Sequence, residues 1–122
     1  MLASAAAVVG QQIGLYGPTG PVQPAWFPSA DKLQHALGFA VPMFLVLTTS
    51  EIHAARGGRT LRPLAVAAIA GVFAVNAVVS ELVQARSGSG RSGDPLDAAA
   101  DLVGIALGWL AFGRLRRGAV AA

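Results

Sequence analysis

Residues 63–80, PLAVAAIAGVFAVNAVVS, form a run of eighteen without a charge, in which Asn76 and Ser80 are the notable polar side chains. A stretch of that length and character reads as a transmembrane helix, because about 20 apolar residues rising 1.5 Å each cross a hydrocarbon core of about 30 Å. The rest of the composition agrees: 54% of the chain is hydrophobic, 12% is charged and the mean hydropathy is +0.59. That leaves too few charges to cover a water-facing surface, and the 122 residues have room for one domain, 1–122.

Other spans flank this one. It extends through Glu81 and Gln84 to about residue 85, since the glycines and serines of 87–93 are the first strong breakers. A second span covers about 30–53, with Ser29 as a candidate N-cap and Pro42 inside. Proline is tolerated there because neighbouring membrane helices can satisfy the freed carbonyl. A further span starts at Asp94-Pro95, a capping residue followed by proline at the first helical position, and runs to about 113, where Arg114, Arg116 and Arg117 mark its end. Residues 2–16 are apolar but short and contain Gln11 and Gln12. Without a basic n-region they read as a retained first helix in preference to a signal peptide. Pro18, Pro21, Pro24 and Pro28, with Trp26 and Phe27, make a connector suited to the lipid headgroups. The expected fold is an all-α, polytopic membrane bundle of about four transmembrane helices.

Charge sets the expected orientation. The formal charge is +3 and the pI about 10.7, yet the basic residues are scattered arginines and a single lysine, not an aromatic-interleaved patch, so nucleic acid is not an expected partner. Arg56, Arg59 and Arg62 join two spans, and Arg114, Arg116 and Arg117 follow the last. By the positive-inside rule both termini are then cytoplasmic. Cysteine is absent, which excludes disulfides and thiolate metal sites.

The opposite, outer end gathers the unusual polar groups. Asp31 and His35 are four apart on one helical face, with Lys32 beside them; Glu81 and Gln84 are three apart on the next span. Asp97, Asp101, Gly104 and Gly108 follow at intervals of four, three and four, so two carboxylates and a small-residue stripe share a face. That face must point into the bundle, because carboxylates toward lipid are costly and Gly104-x-x-x-Gly108 lets another backbone approach closely.

Taken in order, Asp31-Lys32-x-x-His35, Glu81-x-x-Gln84, Arg91-x-x-Asp94-x-x-Asp97 and Gly104-x-x-x-Gly108 resemble the pattern of the VanZ-like family, over about residues 28–108. Asp101 departs from it, standing where the family commonly has asparagine. The resemblance implies a multi-pass protein of the bacterial cytoplasmic membrane, in a family named for a member associated with teicoplanin and glycopeptide resistance. It supplies no established reaction.

These residues lead to two readings of function. In one, an outer-face site binds or processes a lipid headgroup or a lipid-linked cell-envelope intermediate, as an intramembrane hydrolase or transferase would. His35, oriented by Asp31 or Asp97, transfers a proton and Glu81 completes the catalytic group, while Arg91, Lys32, Gln84, Asp94 and Asp101 hold substrate. In the other, the same groups form a non-catalytic ion-pair network, or bind a glycopeptide or partner. Several carboxylates around one histidine can also hold a divalent cation. Here Lys32 and Arg91 already offer compensating charge, so no metal and no cofactor is expected.

Overall fold

A computed structural model describes residues 1–16, 30–86 and 94–121. They form four helices: α1 Leu2–Tyr16, α2 Ala30–Arg56, α3 Pro63–Arg86 and α4 Pro95–Ala121. No strand occurs among the described residues. The protein is an all-α membrane bundle. α2, α3 and Pro95–Ala119 of α4 are long and apolar enough to cross a membrane. α1, at 15 residues, rises about 22 Å and falls short of the roughly 30 Å of a hydrocarbon core. Large apolar side chains such as Leu64, Val72, Val75, Leu107 and Trp109 face outward, as a lipid-facing exterior requires.

The helix ends follow local chemistry. α2 continues three residues past the expected 53 and stops at Gly57-Gly58. Gly58 has φ 67°, and the amides of Gly58 and Arg59 donate to the carbonyls of Ala55 and Ala54. This is a Schellman closure, which needs a residue tolerant of the left-handed region. α4 begins as expected: the Asp94 carboxylate accepts the Leu96 amide at 2.9 Å, and Pro95 occupies the first helical position. Its other end lies about two turns beyond the expected 113. Arginine is a good helix former, so the Arg114–Arg117 cluster marks a change from apolar to charged residues without ending the helix.

Successive helices alternate in direction, which makes α2 and α4 run parallel side by side. Lys32 meets Asp97, His35 meets Asp101, and Ala36 and Ala40 lie against Gly104 and Gly108. The two glycines set this register. A Cβ at Gly104 would fall on the Ala36 carbonyl, and one at Gly108 would lie 2.5 Å from the Ala40 oxygen and 2.9 Å from Met43 Cβ. Below the polar end, Phe39, Met43 and Leu47 of α2 fill the core with Phe73 and Ala77 of α3 and Ile105 and Phe112 of α4. Phe39 and Phe73 meet edge to face, with ring centroids 6.4 Å apart.

The far end is tied separately. Glu51 accepts the Leu61 amide at 3.0 Å and lies 3.6 Å from Arg116, which also donates to the Leu61 carbonyl. There the Ser4 hydroxyl meets Thr49 and the Leu45 carbonyl, so the amino end of α1 and the carboxyl end of α4 lie at the same end of the bundle.

Candidate functional site

Five of the six acidic residues converge at the other end, around Lys32 and His35. Lys32 enters in the first turn of α2, and its ammonium is shared by three carboxylates: Asp94 at 2.6 Å, Asp97 at 2.5 Å and Asp31 at 3.2 Å. Since an ammonium has three N–H donors, Lys32 has none left to hold an incoming anion in this arrangement. The sequence reading has Lys32 holding substrate, whereas in this structure its ammonium holds three carboxylates of the chain itself. Asp94 also holds the start of α4, which places the Lys32 interaction on a fixed backbone.

One turn deeper, His35 Nδ1 lies 2.9 Å from Asp101 Oδ1, and Nε2 lies 3.7 Å from Asp97 Oδ2. The Asp101 side chain is fully buried, and it sits about 10 Å into α4 from the Asp94 cap. His35 thus takes its orientation from Asp101 and not from Asp31. Asp31 is 60% exposed and pairs with its neighbour Lys32. An i, i+4 spacing permits a contact, but the parallel packing of α2 on α4 offers the imidazole a better-buried acceptor.

Glu81, buried near the end of α3, accepts the Asp94 amide through Oε2 at 3.0 Å. Its Oε1 is buried and has no hydrogen-bond partner among the described residues, and the same holds for Asp101 Oδ2. One ligand atom each from His35, Glu81 and Asp101 lie within 4.8 Å of one another, so these are the residues that could hold a metal ion. Gln84 turns the other way and donates to the Leu15 carbonyl at 3.1 Å, joining α3 to α1. Ser80 bonds the Ala77 carbonyl within its own helix. Arg91 and the 87–93 loop lie outside the described residues, as do Ser29 and the proline-rich connector.

Comparison of the chain with family models, curated proteins and solved structures gives no match. The chemistry must therefore be read from the geometry itself. Nδ1–H donating to the Asp101 carboxylate leaves the Nε2 lone pair free to accept a proton.

Sequence reasoning missed a cavity of about 390 Å³ beside His35, between α1 and α2. Ala7, Gly10, Gln11 and Gly14 line one wall, with His35, Gly38 and Pro42 on the other and Gln84 at one side. Gln11 is buried, and its Nε2 has no partner among the described residues. The available signal was a glutamine within an otherwise apolar helix, which needs something polar to face.

Asp94 gives this end a pH dependence. The Lys32 ammonium, and after it the Leu96 amide, hold its carboxyl below the usual carboxylate value. A pKa lowered by folding means that the stabilisation is complete above the unfolded-state value near 4 and is lost as pH falls through the folded one. Asp94→Asn is expected to lower stability at neutral pH and to flatten the acid limb of a detergent unfolding curve below about pH 4, where the variant and the wild type converge. An unchanged acid limb would sink the assignment.

Proposed function

We propose that this protein is a VanZ-like protein of the bacterial cytoplasmic membrane, with both termini cytoplasmic, whose acidic end binds and processes a lipid headgroup or lipid-linked cell-envelope intermediate. The observation that carries this reading is the His35–Asp101 pair: an imidazole with one nitrogen held by a fully buried carboxylate, beside a cavity within the membrane-spanning bundle. Ionisable groups at such depth are costly, and function is the usual reason for keeping them. The cavity offers room for part of an amphiphile, and Nε2 of His35 can take a proton from the group undergoing reaction. The order of the sequence motifs, and the arginines at the far end where α1 begins and α4 finishes, support the family and the orientation.

One observation favours a second reading. Lys32 is fully engaged by three carboxylates, as in an ion-pair network that ties α2 to α4 without chemistry. The test is turnover of a panel of phospholipids and polyprenyl-linked cell-wall precursors by the purified protein. Release or transfer of a headgroup by wild-type protein, lost in the stably folded Asp101→Asn variant, is the expected result. No turnover of any substrate, with Asp101→Asn merely less stable, would favour the structural network.

A further inference from the structure

Lys32 is saturated by Asp31, Asp94 and Asp97, which leaves Glu81 and Asp101 with the His35 imidazole as their neighbouring cationic group among the described residues. Both side chains are more than nine-tenths buried, Glu81 at 8% exposure and Asp101 at 0%, and each has a buried oxygen without a hydrogen-bond partner. Two carboxylates left in that state in a low-dielectric interior are costly unless a charge meets them. Among the described residues the cluster itself sets five carboxylates around one ammonium, with Arg86 the further cation at the end of α3, so an anionic headgroup oxygen meets mostly negative charge there.

We propose that His35, Glu81 and Asp101 bind one divalent transition-metal ion, and that this ion is what lets an acidic site accept an anionic headgroup oxygen. An imidazole and two carboxylates, with no thiolate, suit Mn²⁺, Fe²⁺ or Zn²⁺ better than the all-oxygen sets preferred by Ca²⁺ and Mg²⁺. Ligand atoms 2.0–2.2 Å from a shared ion lie at most about 4.4 Å apart. Three ligands at tetrahedral angles lie closer still, about 3.3–3.6 Å apart, so these groups, within 4.8 Å of one another, need to draw in by at most about 1.5 Å. They come from α2, α3 and α4, so the ion would pin all three membrane-spanning helices at one point. In the loaded state His35 is a ligand, while Asp97, 3.7 Å from Nε2 and paired with Lys32, lies outside the set. The inference deepens the headgroup reading but is testable without any lipid.

The experiment is a titration of purified, lipid-free protein in nonionic detergent with Mn²⁺ alone, followed by electron paramagnetic resonance. The expected result is one bound Mn²⁺ per chain with a single imidazole ¹⁴N coupling. The chain has two histidines, so that coupling should persist in His53→Ala, at the opposite end, and vanish in His35→Gln. Glu81→Gln, which removes a direct ligand, should weaken binding by more than the roughly 10- to 100-fold that follows loss of a group merely supporting a ligand. No binding, bound Mn²⁺ without nitrogen coupling, or coupling lost in His53→Ala would each overturn the proposal. His53→Ala keeps the test decisive even where a variant of the cluster fails to fold. Failure here would leave the headgroup reading standing, and Mn²⁺ binding without lipid turnover would separate the two in the other direction.

Discussion

His35→Gln is expected to lose roughly 10²- to 10⁴-fold in headgroup turnover while melting close to the wild-type temperature, the range typical of removing a positioned acid–base group. The choice of glutamine matters. His35→Ala would leave Asp101, 0% exposed, without its 2.9 Å partner. An uncompensated buried charge costs about 3–5 kcal/mol, so alanine is expected to lower both activity and stability and cannot separate chemistry from structure. The glutamine amide can still donate to Asp101 Oδ1 but can neither exchange a proton near neutral pH nor serve as an imidazole ligand. Turnover and thermal unfolding measured on both variants divide the readings. A chemical site gives an inactive, stable His35→Gln. A structural network gives stability losses that track the hydrogen bond, and full turnover in His35→Gln would remove the residue from any catalytic role.

Gly104→Ala is expected to be among the most destabilising single substitutions in the chain despite adding one methyl group. Its Cβ would overlap the Ala36 carbonyl oxygen and lie 2.9 Å from the carbonyl carbon, and both belong to backbone that cannot rotate aside. Relief requires α2 and α4 to separate. In lipid the association of these helices rests on close packing, not on exclusion of water. The cost is placed at or above the ~1–3 kcal/mol usual for an overfilled core. The shift also draws Asp101, three residues before Gly104, away from His35, the residue next to Ala36, so turnover should fall with stability. Gly71→Ala is the control: nothing lies within 4 Å of a Cβ there, and alanine in a helix interior is favoured over glycine by about 0.5–1 kcal/mol. Thermal unfolding in detergent compares the two, and a Gly104→Ala protein as stable as Gly71→Ala would refute the close approach.

Much of the architecture was legible because apolar length, the Asp94-Pro95 start and the glycine breakers act locally. The stripe of Asp97, Asp101, Gly104 and Gly108 also announced a buried face, since helical spacing alone puts them together. What spacing could not convey was pairing between helices. Asp31 shares a face with His35, but the register of α2 on α4 decides which carboxylate reaches the imidazole. Likewise Lys32 looks like a free cation in the sequence, and only the arrival of Asp94 and Asp97 from α4 occupies it. The far end of α4 was misjudged because a run of arginines was read as a helix stop, when it is a change of surroundings along a helix that continues.

The parallel course of α2 and α4 has an electrostatic consequence for the acidic end. Each helix presents unpaired amides at its amino terminus, equivalent to about half a positive charge acting over the first turn. Two such termini lie side by side where Asp31, Asp94 and Asp97 enter the structure. The backbone itself therefore offsets part of the crowding among these carboxylates, and it does so with dipoles that no titration can remove. Glu81, at the carboxyl end of an oppositely directed helix, meets this field only through the Asp94 amide on Oε2, and its Oε1, without a partner among the described residues, is left open to an outside cation.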